Sequence, residues 1–166
     1  MMRKLVSFSA AALLLAACGS GDEGTVQTED GEVAYGIDQY GDETNVTITA
    51  EDGSEIVATS GTGEAQLPDG FSVYPGASVI SSTTVTQADG SGAMVLMQSD
   101  ATPAQMVSFY RQQAEAAGIE IQMNADVNGS AMLGGEGAGG MTFSFSASPN
   151  GDGTSGQLIV GTGSGG

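Results

Sequence analysis

The 166-residue sequence predicts an α+β fold: an antiparallel sheet with one helix packed across a face, in the order ββαβββ, preceded by a small β-meander. Three observations predict it. Only residues 102–118 combine helical periodicity with marked ends. Most of the remaining chain alternates apolar and polar residues with a period of two. Turn pairs such as Asp52-Gly53, Asp89-Gly90 and Asn150-Gly151 separate the alternating runs at hairpin spacing. One helix cannot shelter a wide sheet on both sides. The opposite face is therefore expected to be covered in part by the meander, or to remain a Ser/Thr surface.

Taken from the start, Arg3 and Lys4 form a short basic head, and residues 5–17 are an apolar run too short to span a bilayer. Residues 1–17 are expected to be a signal peptide. Residues 18–31 are small, polar and acidic beyond Cys18, the composition of a flexible tether. Residues 32–62 alternate around Val33, Tyr35 and Ile37, then Val46 and Ile48, then Ile56 and Ala58, as a three-stranded meander. Such a meander is marginal alone and needs to pack on, or extend, another sheet.

Residues 63–163 are expected to form the main module. Pro68, Gly70, Pro75 and Gly76 hold an extended entry from which Leu67, Phe71, Val73 and Tyr74 can dock inward. Two strands follow, the second apolar on consecutive positions from Ala93 to Met97, as expected of a central strand covered on both faces. Thr102, Pro103 and Gln105 supply a capping box and a first-turn proline, and Gly118 can take the left-handed stop. Between them Met106, Tyr110, Ala114 and Ala117 form a stripe widened by Val107 and Phe109. Strands are expected at Ile119, in a short stretch from Ser130, from Met141 to Ala147, and around Leu158, with residues 164–166 fraying.

The run Leu15-Ala16-Ala17-Cys18 resembles the lipobox of bacterial lipoproteins. The resemblance implies that Cys18 is lipidated and becomes the first residue of the mature chain. Several acyl chains, at about 0.8 kcal/mol per buried methylene, give a durable membrane anchor. Gly19 stands where an aspartate would mark inner-membrane retention, so the resemblance favours the outer membrane, periplasmic side. Residues 67–125, with LP…YPGA, Val107-Ser108-Phe109-Tyr110 and Gly118, resemble a module of small envelope lipoproteins that has no settled activity. The element order alone is similar to the helix-grip domains of BamC-type barrel-assembly lipoproteins.

Charge and composition limit the chemistry. Beyond the leader there is one cation, Arg111, against twenty acidic side chains. That excess repels phosphate backbones and anionic head groups, so nucleic acid and polybasic membrane contact are excluded. It also suits a salty medium, where screening removes self-repulsion. There is no His, no Lys beyond the leader and no second cysteine, so the usual nucleophile–base pairs cannot be assembled and no enzyme, cofactor or disulfide is expected.

Each remaining motif has a plain alternative. Gly135 to Gly140 satisfies G-x-G-x-x-G, but a strand rather than a helix follows, so a flexible connection is expected. Asn150-Gly151-Asp152-Gly153 has the look of a calcium loop, yet Ile159 stands where a bidentate Glu is required. A hairpin turn is expected, and no dedicated metal site, though weak Ca2+ binding by exposed carboxylates is compatible with the composition. The methionines at 94, 97, 106, 123, 132 and 141 fit core filler better than a Cu(I) site, because Met94 and Met97 fall on opposite faces of a strand. Arg111 has Glu115 four residues on, and Phe109, beside Tyr110, could be left exposed. Phe109 and Arg111 are therefore the candidate partner contacts. The function expected is that of a lipid-anchored, non-catalytic envelope lipoprotein acting in structure or protein interaction. The alternative is a periplasmic module binding a small ligand or divalent cation.

Overall fold

A computed structural model describes residues 22–28, 31–61 and 65–163. Its strands are β1 (Asp22–Thr28), β2 (Gly31–Tyr40), β3 (Glu43–Ala50), β4 (Glu55–Ser60), β5 (Ser78–Gln87), β6 (Gly90–Ser99), β7 (Ile119–Val127), β8 (Ser130–Gly137), β9 (Thr142–Asn150) and β10 (Gly153–Gly163), with helix α1 at Pro103–Ala116. All ten strands join one antiparallel sheet in the order β1-β2-β3-β4-β5-β6-β10-β9-β8-β7. The chain runs strand by strand to β6, and α1 then carries it across the sheet to the far edge. Three hairpins bring it back until β10 pairs with β6.

The helix forms where its end signals lie. The Thr102 side chain accepts the Gln105 N–H at 3.3 Å, and the Gln105 side chain accepts the Thr102 N–H at 2.9 Å. Gly118 takes φ +78° directly after the helix, a conformation that costs a side-chain-bearing residue free energy. The buried stripe is Met106, Val107, Tyr110 and Ala114, while Phe109 and Ala117 are partly buried beside it. It lies on Val95 and Met97 of β6, Leu158 and Val160 of β10, Phe143 and Phe145 of β9, and Leu133 of β8. The entry segment closes the side of this core with Phe71, whose ring stacks on Phe143 at 5.6 Å.

Several expectations are corrected. Residues 18–31 are not a tether throughout, because Asp22–Thr28 is a strand in register with β2 from Asp22↔Ile37 to Thr28↔Gly31. Thr25, Val26 and Thr28 supply the β-branched residues that tolerate a pleated edge. Of the two alternatives for the meander, extension of the sheet holds, since β4 pairs with β5, and the meander covers no face. Within residues 63–163 all four stretches expected after the helix are strands, the one from Ser130 included, so the ββαβββ order becomes ββαββββ, with four further strands upstream. The stretch from Ser130 is a full strand, formed because Asn128-Gly129 makes the β7–β8 turn with both residues at positive φ. Gly135 to Gly137 belong to that strand, and only Ala138–Gly140 leave it, in a 3-10 turn. β6 is central but not covered on both faces: Val95 and Met97 are buried, whereas Leu96 is 37% exposed. Residues 1–21, with the leader and Cys18, and residues 164–166 lie outside the described residues.

Candidate interaction face

Residues paired directly across antiparallel strands share a face, so the register assigns a side to every strand residue. On the helix side, the spaces above β6, β10, β9 and β8 are filled. Tyr110, Phe145, Met97, Met106, Leu133 and Leu158 are each less than 2% exposed. The Tyr110 ring lies 4.2 Å from that of Phe145, its hydroxyl donates to Met97 Sδ at 3.2 Å, and it accepts the Tyr74 N–H at 3.0 Å. Burial pushes the Tyr110 hydroxyl well above its ordinary pKa. Gly156 of β10 makes this closeness possible, since a Cβ there would stand 2.9 Å from Met106 Cε and 3.3 Å from Phe145. The interior is packed with the chain's own side chains.

Towards the amino-terminal strands the pattern inverts. Glu23, Glu32, Asp38, Glu43 and Glu55 fall on the helix side of β1 to β4, beyond the reach of α1. The apolar residues of the same strands fall on the far side: Val33, Tyr35 and Ile37 on β2, Val46 and Ile48 on β3, Ile56 and Ala58 on β4. The row continues through Val85 on β5, Met94 and Leu96 on β6, and Ile159 on β10. Ile48, Ile56 and Ile159 are 36, 38 and 43% exposed. Across the seven strands from β2 to β9 in spatial order, the far side presents no charged side chain. Acids return only towards the edges, with Asp22 on β1, Glu120 on β7 and Glu136 on β8. The chain's net charge is −17, so a field without a single charge departs from the rest of its surface.

The residues singled out in the sequence lie elsewhere. Phe109 is half-buried, edge-on to Tyr74 at 5.1 Å, so it belongs to the margin of the core rather than to an exposed patch. Arg111 is half-buried on α1, on the side of the sheet opposite the apolar field. Met97 and Met106 are core, as expected of filler, but Met123 and Met132 are exposed on the far side, 42 and 45% respectively. The Asn150–Gly153 stretch is the β9–β10 turn, and Asn150 donates to Ser155 Oγ at 2.9 Å. Beside it lies a polar hollow of about 280 Å3 lined by Ser78, Gln98, Ser99, Asp100, Asn150 and Thr154. A shallow trough of about 610 Å3 runs along the helix side of β1 to β3 past Glu23, Thr25, Asp38, Thr47 and Thr49. Among the described residues, no three His, Cys, Asp or Glu side chains gather as a metal site. No described helix is long and apolar enough to cross a membrane.

The apolar field was legible in part. The alternation of residues 32–58 shows that these strands have one apolar side, but a period of two does not say which side the helix occupies. Only the pairing of Val57 with Thr84, and so with the helix-side residue Ala93, decides it.

Compared with known proteins, residues 79–156, just under half of the chain, match the model of a START domain-like family. The match runs from β5 through α1 into β10, and β1 to β4 lie outside it. No curated protein and no solved structure matches the chain.

Proposed function

We propose that this chain is a lipid-anchored, non-catalytic envelope protein that works by protein interaction through the far side of its sheet. One observation carries the proposal: the far side of seven adjacent strands holds no charged side chain, and on β2, β3, β4 and β6 it is mostly apolar and faces solvent. An interface core is depleted of charge in this way, and a solvated surface of so acidic a chain is not. The START-like match points to ligand binding in general, but the space between helix and sheet is occupied by Tyr110, Phe145, Met97 and Met106. Contact through the outside of the sheet therefore fits better than a ligand held inside. Anchoring through Cys18 would hold that surface at the membrane, on the periplasmic side of the outer membrane.

The alternative, a module for a small ligand or divalent cation, draws support from the family match and from Glu23 and Asp38 in the trough on the helix side. A photo-crosslinking residue in the intact envelope separates the two. Placed at Ile48 it is expected to capture protein, and placed at Thr47, one residue along on the opposite side, it is not. Equal capture from both positions, or from neither, would remove the interaction proposal.

A further inference from the structure

We propose that the occupant of the apolar field is a second copy of this chain, with the two sheets packed far side to far side about a two-fold axis. The inference rests on the interaction proposal above and names its partner. Area is the first argument. The six adjacent strands β2, β3, β4, β5, β6 and β10 carry the field. At a spacing of about 4.8 Å and about eight residues of 3.3 Å each, they cover on the order of 750 Å2. A stable dimer takes roughly 800 Å2 from each partner. Two such faces packed about 10 Å apart, as in a β-sandwich, bury enough surface.

Charge is the second argument. A cationic partner would be drawn to the carboxylates of Glu23, Glu32, Asp38, Glu43 and Glu55, which all lie on the other side. The field itself offers such a partner no counter-charge. Two identical uncharged faces can meet without setting acid against acid, because Asp22, Glu120 and Glu136 stand near the sheet edges. An isologous contact needs a patch that complements itself, and apolar on apolar meets that need. The self-repulsion of two chains of net charge −17 then acts at longer range and is screened by salt.

Cys18 is the chain's only cysteine, so single-cysteine probes are unambiguous once it is replaced. The full chain carrying Cys18→Ser is given one further change, Ile48→Cys, Leu96→Cys, Thr47→Cys or Thr25→Cys, and treated with a short bismaleimide. Sedimentation equilibrium in molar NaCl is measured alongside. The proposal expects a dimer that crosslinks from Ile48→Cys and Leu96→Cys but not from Thr47→Cys. Ile48→Thr with Leu96→Thr, shown by circular dichroism to remain folded, is expected to weaken the dimer at least about tenfold. A dimer that crosslinks from Thr25→Cys alone would mean pairing at the free edge of β1 and would overturn it. A monomer in molar NaCl, together with capture of a different envelope protein at Ile48 in the intact envelope, would overturn the second copy and leave the interaction proposal standing. A monomer with no capture there would end both.

Discussion

Tyr110 joins three parts of the core through one oxygen: it donates to Met97 Sδ, accepts the Tyr74 N–H, and lies on a ring packed against Phe145. Removing the hydroxyl leaves that N–H without its acceptor, so Tyr110→Phe is expected to cost about 1–2 kcal/mol at neutral pH. Its pKa is raised by burial, so the folded state holds the proton more tightly than the unfolded state. This contribution is intact below the ordinary tyrosine pKa of about 10 and is lost as pH rises above it, by up to about 1.4 kcal/mol per pH unit. Urea titrations from pH 8 to 12 should show a steeper alkaline loss for the unaltered chain than for Tyr110→Phe. The helical stripe could be read from spacing, and Tyr110 with it. The hydroxyl's partners could not, because Tyr74 and Met97 come from separate segments that only the fold brings together.

The element that organises the sheet is α1, and its ends were legible because capping depends on neighbours in the chain. Its seat was not. Gly156 lies on a strand in no evident motif, yet its missing side chain lets Met106 and Phe145 close over β10. Met106 Cε can give way to one methyl, but Val at this position would overfill the site. Gly156→Val is expected to destabilise by about 1–3 kcal/mol, measured as a lowered urea midpoint with an unchanged slope. The hairpin at Asp52-Gly53 was legible from its turn pair, the β5–β6 turn falls at Ala88-Asp89, one residue before the pair that marked it, and Asn128-Gly129 was not singled out. β1 was not legible, because an acidic, glycine-containing stretch has a tether's composition and becomes a strand only through its register with β2.

At the scale of the molecule, the acids of the described residues lie on turns, on α1, on the helix side of β1 to β4 and towards the sheet edges, while the far side carries none across the seven strands from β2 to β9. Self-repulsion of the net charge of −17 should be relieved by screening, so the thermal midpoint is expected to rise between low salt and molar NaCl. An unchanged midpoint would contradict that. Cys18→Ser is expected to shift the protein from the envelope fraction to the soluble extract, and retention in the envelope would contradict a lipid anchor at that residue. The coarse architecture, an antiparallel sheet with one helix across a face, was legible from periodicity. The two-sided character of the sheet was not, since it depends on which face each strand turns to α1.

The most direct test of the account is to replace Ile48, Leu96 and Ile159 together by threonine, then measure both the unfolding midpoint and the capture of protein from a probe at the neighbouring far-side residue Val46. A contact surface predicts a midpoint within a few degrees of the unaltered chain and a large loss of capture. A collapse of the midpoint would show that these residues are core, and undiminished capture would show that they contact no partner. Either result contradicts the account.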